Sequence, residues 1–374
     1  MQSCDFLVIG AGIAGTSAAA ELAAHGRVVL VERESQPGYH STGRLVASFN
    51  AVHEDPLVTA LIVGSRPFLE APPAAFWERP LLGPRGVLIV APPAQRAALD
   101  ALAAQTAASG LATERLDVTA AQRLVPVLDP SVIGGALLDP SAMDLDVDAL
   151  LQGWLGLLRH RGGTLLTGAE VRTLQRGGGR WRVETTAGAF EAPVVVNAAG
   201  AWADEIATLG GVRPLGLVPK RRSAFIFHFA GAHQVANWPM VKALDETFYF
   251  KPDAGRLLGS PCDQTPVPPC DARPHELDVA TAVARIEAVT TARVSRVERR
   301  WAGLRSFVGD GRPVVGLAAD AEGFCWLAGQ GGIGIETAPA LARATSALLT
   351  AGSLPVELQA RGLRAQDLAP DRLR

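Results

Sequence analysis

Apolar and polar positions along this chain alternate between a strand-like and a helix-like period. Residues 5–10 read DFLVIG, a short continuous apolar run of the length a buried strand needs. An Ala-rich stretch follows to about His25, and RVVLVE (27–32) is a second apolar run that ends on an acid. Further on, VVVNAAGAWAD (194–204) predicts a strand, a turn of small residues and then a helix. GQGGIGIETAPALA (329–342) predicts a glycine turn that opens a helix. SAFIFHF (223–229) and ETFYFKPD (246–253) have the aromatic, β-branched texture of antiparallel strands. Residues 94–108, 276–291 and 335–350 read as helices, the last ending before Gly352, and the Pro-rich stretches 71–80 and 261–274 read as loops. Neither an internal repeat nor a low-complexity tract is present.

Between the first two strands lies GAGIAG, with Gly10, Gly12 and Gly15 in G-x-G-x-x-G spacing. Each glycine has a physical task. Gly10 permits a tight turn, Gly12 lets a pyrophosphate approach the backbone, and Gly15 lets helix and strand pack closely. The helix start offers free N–H groups and a positive dipole end. Glu32, twenty residues past Gly12, is placed to accept hydrogen bonds from ribose hydroxyls, which argues against a 2′-phosphate and so against NADP. Strand, glycines, helix, strand and acid in register predict a dinucleotide site. This unit alone leaves NAD and FAD both open.

Composition narrows the function classes. The 374 residues are 48% hydrophobic and 19% charged with net charge −2, the balance of a packed globular protein of about two domains. Near-neutral charge leaves no electrostatic footprint for nucleic acid. Only Lys220, Lys242 and Lys251 of the 35 basic residues are lysines, read as a coding bias. No uncharged apolar run approaches the ~18 residues of a membrane helix, and Asp5 sits where a signal peptide needs positive charge. No integral membrane segment is therefore expected. Cys4, Cys262, Cys270 and Cys325 make no metal-ligand pattern. Cys262 and Cys270 are the one pair close in sequence, and the expectation is reduced cysteines in a cytoplasmic protein without a metal.

The motifs GAGIAG…VERE, QPGYHSTGR (36–44), VNAAGAW, PLGLVPKRRSAFIF (214–227), WAGLRSF (301–307) and GQGGIGI together resemble the glycine oxidase/D-amino-acid oxidase superfamily of FAD enzymes. Within it, the chain is similar along nearly its whole length to the bacterial D-arginine dehydrogenases. The resemblance implies an α/β fold: a Rossmann-type FAD-binding domain (1–78, 139–219, 306–374) interleaved with an α+β substrate domain on an antiparallel sheet (79–138, 220–305). It implies non-covalent FAD and oxidation of a carbon–nitrogen bond beside a carboxylate. The partners would be a small amino acid or amine and an electron acceptor, either a quinone or O2.

By that likeness FAD would meet Gly10, Gly12, Ala14 and Gly15 at the pyrophosphate and Glu32 and Arg33 at the adenosine. Ser41, Thr42, Gly43, Arg44 and the stretch to Ser48 would line the flavin. Val171 would reach the adenine side, and Gly331, Gly332, Ile333, Gly334, Ile335 and Glu336 would cover the pyrimidine edge and ribityl chain. His40 would pack near the flavin as structure.

Once the amine is neutral, such chemistry asks mainly for a held substrate, and arginine grips a carboxylate through two parallel charge-assisted bonds. The resemblance assigns this grip to Arg222 and Arg305, although position alone leaves a surface arginine or an internal salt bridge open for each. Tyr249 would add a hydrogen bond to the same carboxylate, or is a core aromatic. The Gly332 carbonyl would meet the amine, or is simply a helix-start glycine. His53 gates access or binds the carboxylate, or is a loop histidine.

The sequence departs from the D-arginine dehydrogenase pattern. Val87 stands where an acid would meet the substrate guanidinium, Ser48 and His53 where those enzymes carry a histidine and a tyrosine, and Lys242 where an apolar residue is expected. An uncompensated buried cation is expensive. The expectation is thus a D-amino acid with a neutral, aromatic or acidic side chain, with Lys242 either solvated or pairing with a distal carboxylate. Two alternatives stand beside it: a secondary amine of glycine, sarcosine or proline type (or a pathway-specific imine-forming step), and a flavin redox sensor without turnover.

Overall fold

The dinucleotide stretch folds as its spacing requires. In a computed structural model that describes residues 1–44, 46–74, 76–231 and 234–373, the apolar runs form the buried strands Phe6–Ile9 and Val28–Val31, joined by the helix Ile13–Leu22. They lie in a six-stranded sheet of order Thr164–Leu166, Val28–Val31, Phe6–Ile9, Val194–Asn197, Phe324–Ala328, Val314–Leu317. The first five strands are parallel and the last pairs antiparallel. The sharp turn needs Gly10 at φ +99°, and a Cβ on Gly15 would stand 1.9 Å from the Gly10 carbonyl oxygen. Helix and strand touch there because neither side carries a side chain.

Small side chains on several faces let the Ile13–Leu22 helix settle between Val147–His160 and Ala338–Ala351, where Ala18, Ala19 and Ala20 are fully buried. Trp154 anchors this layer: it is fully buried, stacked on Phe68 at 4.6 Å and edge-on to Phe76 at 5.0 Å. Trp154→Ala is expected to cost about 3–5 kcal/mol, since the cavity left against Phe68 and Phe76 collapses only partly. Thermal or denaturant unfolding of the purified protein measures it, and a shift within error would remove Trp154 from this role.

An eight-stranded sheet of order Val294–Phe307, Val218–Phe229, Arg256–Ser260, Tyr249–Asp253, Met240–Ala243, Val87–Ala91, Gly135–Asp139, Glu114–Leu116 forms the second layer. It is antiparallel except for the Met240–Ala243/Val87–Ala91 pair. Phe225, Phe227 and Phe250 fill one face with the helix Glu276–Ala288. The opposite face carries Val87, Ile89, Met240 and Tyr249. A four-stranded sheet flanks the six-stranded one, and the short strands Ser48–Phe49, Met143–Leu145 and Leu82–Pro84 make a third small sheet.

The predicted helices are found at Arg96–Ala108, Glu276–Ala288 and Ala338–Ala351. The last begins three residues later than its apolar spacing suggests, because residues 329–337 stay in turns, and it ends on Gly352 at φ +70°. Cys262 and Cys270 are both free thiols. Among the described residues no helix is long and apolar enough to cross a membrane, and no cluster of His, Cys, Asp or Glu is arranged to hold a metal.

Candidate active site

Two cavities of about 250 Å³ each meet at Gln330 and Ile335, which line both. The first runs along the carboxyl ends of the parallel strands, the usual ligand position in an open α/β sheet. Gly10, Gly12, Ala14, Glu32, Arg33, Ser41, Thr42, Val171, Gly331, Gly334 and Ile335 line it. Its donors suit a dinucleotide. The first intrahelical bond runs from Thr16 N–H to the Gly12 carbonyl, and Thr42 Oγ1 accepts from Ile13 N–H at 2.9 Å. The N–H groups of Ala14 and Gly15 therefore lack an intrahelical acceptor at a positive helix end. Glu32 accepts from Ala11 N–H at 2.7 Å and Glu34 N–H at 2.9 Å, so the acid is fixed at the glycine turn before any ligand arrives. Arg33 lies 3.9 Å over the Trp202 ring, and His40 sits against the same ring at 4.6 Å while bonding Glu34 at 2.9 Å. Among the described residues the buried Gln330 Nε2 has no hydrogen-bond partner, and Gln330 lines both cavities where they join.

Glu32→Ala leaves two N–H groups without acceptors, at roughly 1–3 kcal/mol each when buried. About tenfold or greater weakening of dinucleotide affinity is expected in a fluorescence titration, and unchanged affinity would show that the acid only shapes the turn.

Several sequence candidates lie elsewhere. Gly15 and Gly43 line neither cavity. Arg44 lines neither either. Its guanidinium pairs with Asp271 at 2.5 Å and donates to the carbonyls of Tyr39 and Ala272, pinning the 36–44 loop to the 271 segment. Ser48, Gly332, Ile333 and Glu336 line the second cavity and not the first. Leu45, between Arg44 and Ser48, lies outside the described residues.

The second cavity has the eight-stranded sheet as its floor. Arg222 faces Gly303 and Lys220 faces Arg305 across the Val218–Phe229/Val294–Phe307 ladder, so Arg222 and Arg305 are diagonal neighbours on one face. Tyr249 opposes Ser260 on one side and Lys242 on the other, and Lys242 and Met240 pair with Ile89 and Val87. Across the floor the order is thus arginines, tyrosine, lysine, then apolar Met240 and Val87. Arg222 and Tyr249 are each 5% exposed. Among the described residues the Nε atoms of Arg222 and Arg305 have no hydrogen-bond partner. Burial, and then the neighbouring Arg222, pull the Arg305 guanidinium below its ordinary range, yet it remains a cation. Burial raises the Tyr249 phenol and the Cys262 thiol, so both stay neutral.

Gly332 lies directly under Arg305: a Cβ there would meet Nη1 at 2.5 Å. Lys242 pairs with Glu246 at 2.5 Å rather than standing solvated. His53, largely exposed at the mouth, accepts from Asp55 N–H at 3.0 Å, and the burial it has, opposed by Asp55, keeps its imidazole below the usual histidine value. Asp55 also caps the helix Pro56–Glu70 and holds Arg312 through both oxygens, which ties the mouth loop to the 310–312 turn. Glu336, 8% exposed, receives Asn50 N–H at 2.9 Å. The sequence offers no argument that assigns Gln330, Asn50, Glu246, Cys262 or Trp202 to the site. No spacing marks a lone amide between glycines or a turn acid.

Comparison with known proteins places this geometry. A family model described as "DAO: FAD dependent oxidoreductase" matches residues 5–348. The uncharacterized oxidoreductase YurR of Bacillus subtilis is 28% identical over 236 residues, 61% of this chain and 60% of that protein. The chain thus aligns with about 60% of the length of that curated relative. Among solved structures, the L-proline dehydrogenase from P. horikoshii superposes with TM-score 0.84 at 21% identity, covering 99% of this chain and 98% of the other. Glycine oxidase from Geobacillus kaustophilus gives 0.82 at 23% identity, covering 93% and 95%.

Proposed function

Starting from a chain that belongs to the DAO family of FAD-dependent oxidoreductases, we propose that it oxidises the Cα–N bond of an amino acid, of D configuration and without a basic side chain. FAD is the cofactor, held without a covalent bond, and when bound it supplies the two-electron acceptor next to the substrate. The product imino acid leaves and hydrolyses to a 2-oxo acid and ammonia, and the electrons go on to a quinone or O2.

One observation carries this reading: two guanidinium groups whose buried Nε atoms find no hydrogen-bond partner among the described residues share a face beside the dinucleotide cavity. An unpaired buried cation costs several kcal/mol. Two of them together are tolerated where an anion completes the site, and a carboxylate fits their fork geometry. Tyr249, two strands from Arg222, is placed to add a neutral donor to it. With the carboxylate anchored there, the side chain runs along the floor toward Met240, Val87 and the Lys242–Glu246 pair. That wall supports an apolar, aromatic or acidic substituent. The D configuration rests on the resemblance of the motifs. We further propose that residues 1–78, 139–219 and 306–374 hold the cofactor and 79–138 and 220–305 the substrate. The six- and four-stranded sheets come from the first set, and the eight-stranded sheet comes almost wholly from the second.

The test is an anaerobic panel of D- and L-amino acids, glycine, sarcosine and proline with the yellow holoprotein, followed by readmission of air. Bleaching by D-amino acids supports the reading. Bleaching only by secondary amines moves the substrate class while keeping the grip, and no bleaching by any of them overturns it.

A further inference from the structure

The second cavity carries one acid that its basic walls do not neutralise. The Glu336 carboxyl is buried beside Gly332 and Ile333, and its one hydrogen bond among the described residues comes from Asn50 N–H to Oε2. No ion pair reaches it there, although Arg305 and Lys242 act on it through space. The cavity therefore has two unpaired cations on its floor and one unpaired carboxyl on the helix-start wall. A zwitterion satisfies both ends, with its carboxylate on Arg222 and Arg305 and its ammonium toward Glu336.

Resting on the functional reading above, we propose that Glu336 receives the substrate ammonium and takes the proton the nitrogen must lose before the C–N bond can be oxidised. An N–H bond breaks, its electron pair stays on nitrogen, and an O–H bond forms on the carboxylate. The proton returns to solvent when the product leaves. Burial pushes this carboxyl up to about 8, against the lowering effect of Asn50 N–H, Arg305 and Lys242. A base poised near the working pH is what such a transfer needs. The other titratable or charged walls are Arg222, Glu246, His53, Tyr249 and Cys262. Glu246 is occupied by Lys242, the Tyr249 phenol and Cys262 thiol are held neutral by burial, and His53 lies at the mouth. Glu336 is thus the buried acid left to take the proton.

Two measurements on the holoenzyme test this. Flavin reduction by an amino acid is followed across neutral and alkaline pH in the native protein and in Glu336→Gln. The native rate should rise through an ionisation near 8. Glu336→Gln should lose that limb, fall by about 10²-fold at neutral pH, and approach the native rate at the alkaline pH where the substrate ammonium loses its proton to solvent. Glu336→Asp should restore part of the limb. Separately, infrared difference spectra without substrate should show a protonated carboxyl at neutral pH that titrates near 8 and is absent in Glu336→Gln. A pH profile lowered uniformly without change of shape, or a carboxyl titrating near the ordinary ~4.3, overturns the proposal. Bleaching with an unchanged profile sinks only the role of Glu336, whereas no bleaching by any amino acid sinks the functional reading and this role with it.

Discussion

Arg305→Ala should lower kcat/KM for an amino acid by about 10²- to 10³-fold while the protein stays yellow. Removing one member of a buried, hydrogen-bonded charge contact costs about 2–5 kcal/mol, at about 1.4 kcal/mol per tenfold. Most of the loss should appear in KM, because in the proposed reading the contact holds the substrate carboxylate before and during reaction. FAD should remain bound, since Arg305 lines the second cavity and not the first. The stability effect has the opposite sign. Arg305 is partly buried next to Arg222 and its charged form is disfavoured there, so deleting it relieves a like-charge repulsion. The melting temperature should hold or rise, the exchange of stability for function seen at active sites. Steady-state kinetics, flavin absorbance and a thermal melt on one preparation check all three, and an unaltered kcat/KM refutes the assignment.

Gly332→Ala should reproduce much of that loss without replacing a charged residue. The added Cβ would lie 2.5 Å from Arg305 Nη1 and 2.7 Å from Cζ, so one of them must move. Backbone retreat is blocked, because Gly331 at φ +53° is already backed by the Phe307 ring, 2.5 Å from where its own Cβ would stand. The guanidinium is displaced, and a fall of about 10- to 10²-fold in kcat/KM is expected from misplacing one reacting partner. The double variant with Arg305→Ala should be little worse than Arg305→Ala alone, because both substitutions remove one contact. Additive losses would mean that Gly332 acts by itself, for example through its carbonyl on the amine.

The two cavities differ in how far the sequence reveals them. The dinucleotide cleft is local. Gly10, Gly12, Gly15 and Glu32 lie within 23 residues, and the turn, the close approach and the acid are each demanded by the backbone geometry of one strand–helix–strand unit. The floor of the second cavity draws on five strands between Val87 and Phe307, and which side chains share a face is decided by pairing register, which spacing along the chain does not encode. Arg222 and Arg305 could be named only through the resemblance of their flanking motifs. Glu336 follows the glycine turn closely enough to pass for a cofactor contact. Yet the chain stays in turns until Ala338, which places its carboxyl on the substrate side. Arg44 sits in a flavin-like loop by sequence, and tertiary contact with Asp271 takes it away.

The arginine ribbon also limits how this protein can diverge. Arg222 and Arg305 stand on two long strands in continuous antiparallel register from Val218/Phe307 to Ile226/Arg299, and the irregularities begin only after Ile226. Their separation is a property of the main chain, not of any contact between the two side chains. Inserting or deleting one residue on the substrate end of either strand would turn a guanidinium to the aromatic face of the sheet. Length changes are therefore forbidden there and tolerated beyond the bulges. Under the proposed function, new substrates would be reached by exchanging side chains at Val87, Met240 or Lys242, while the two arginines keep their spacing.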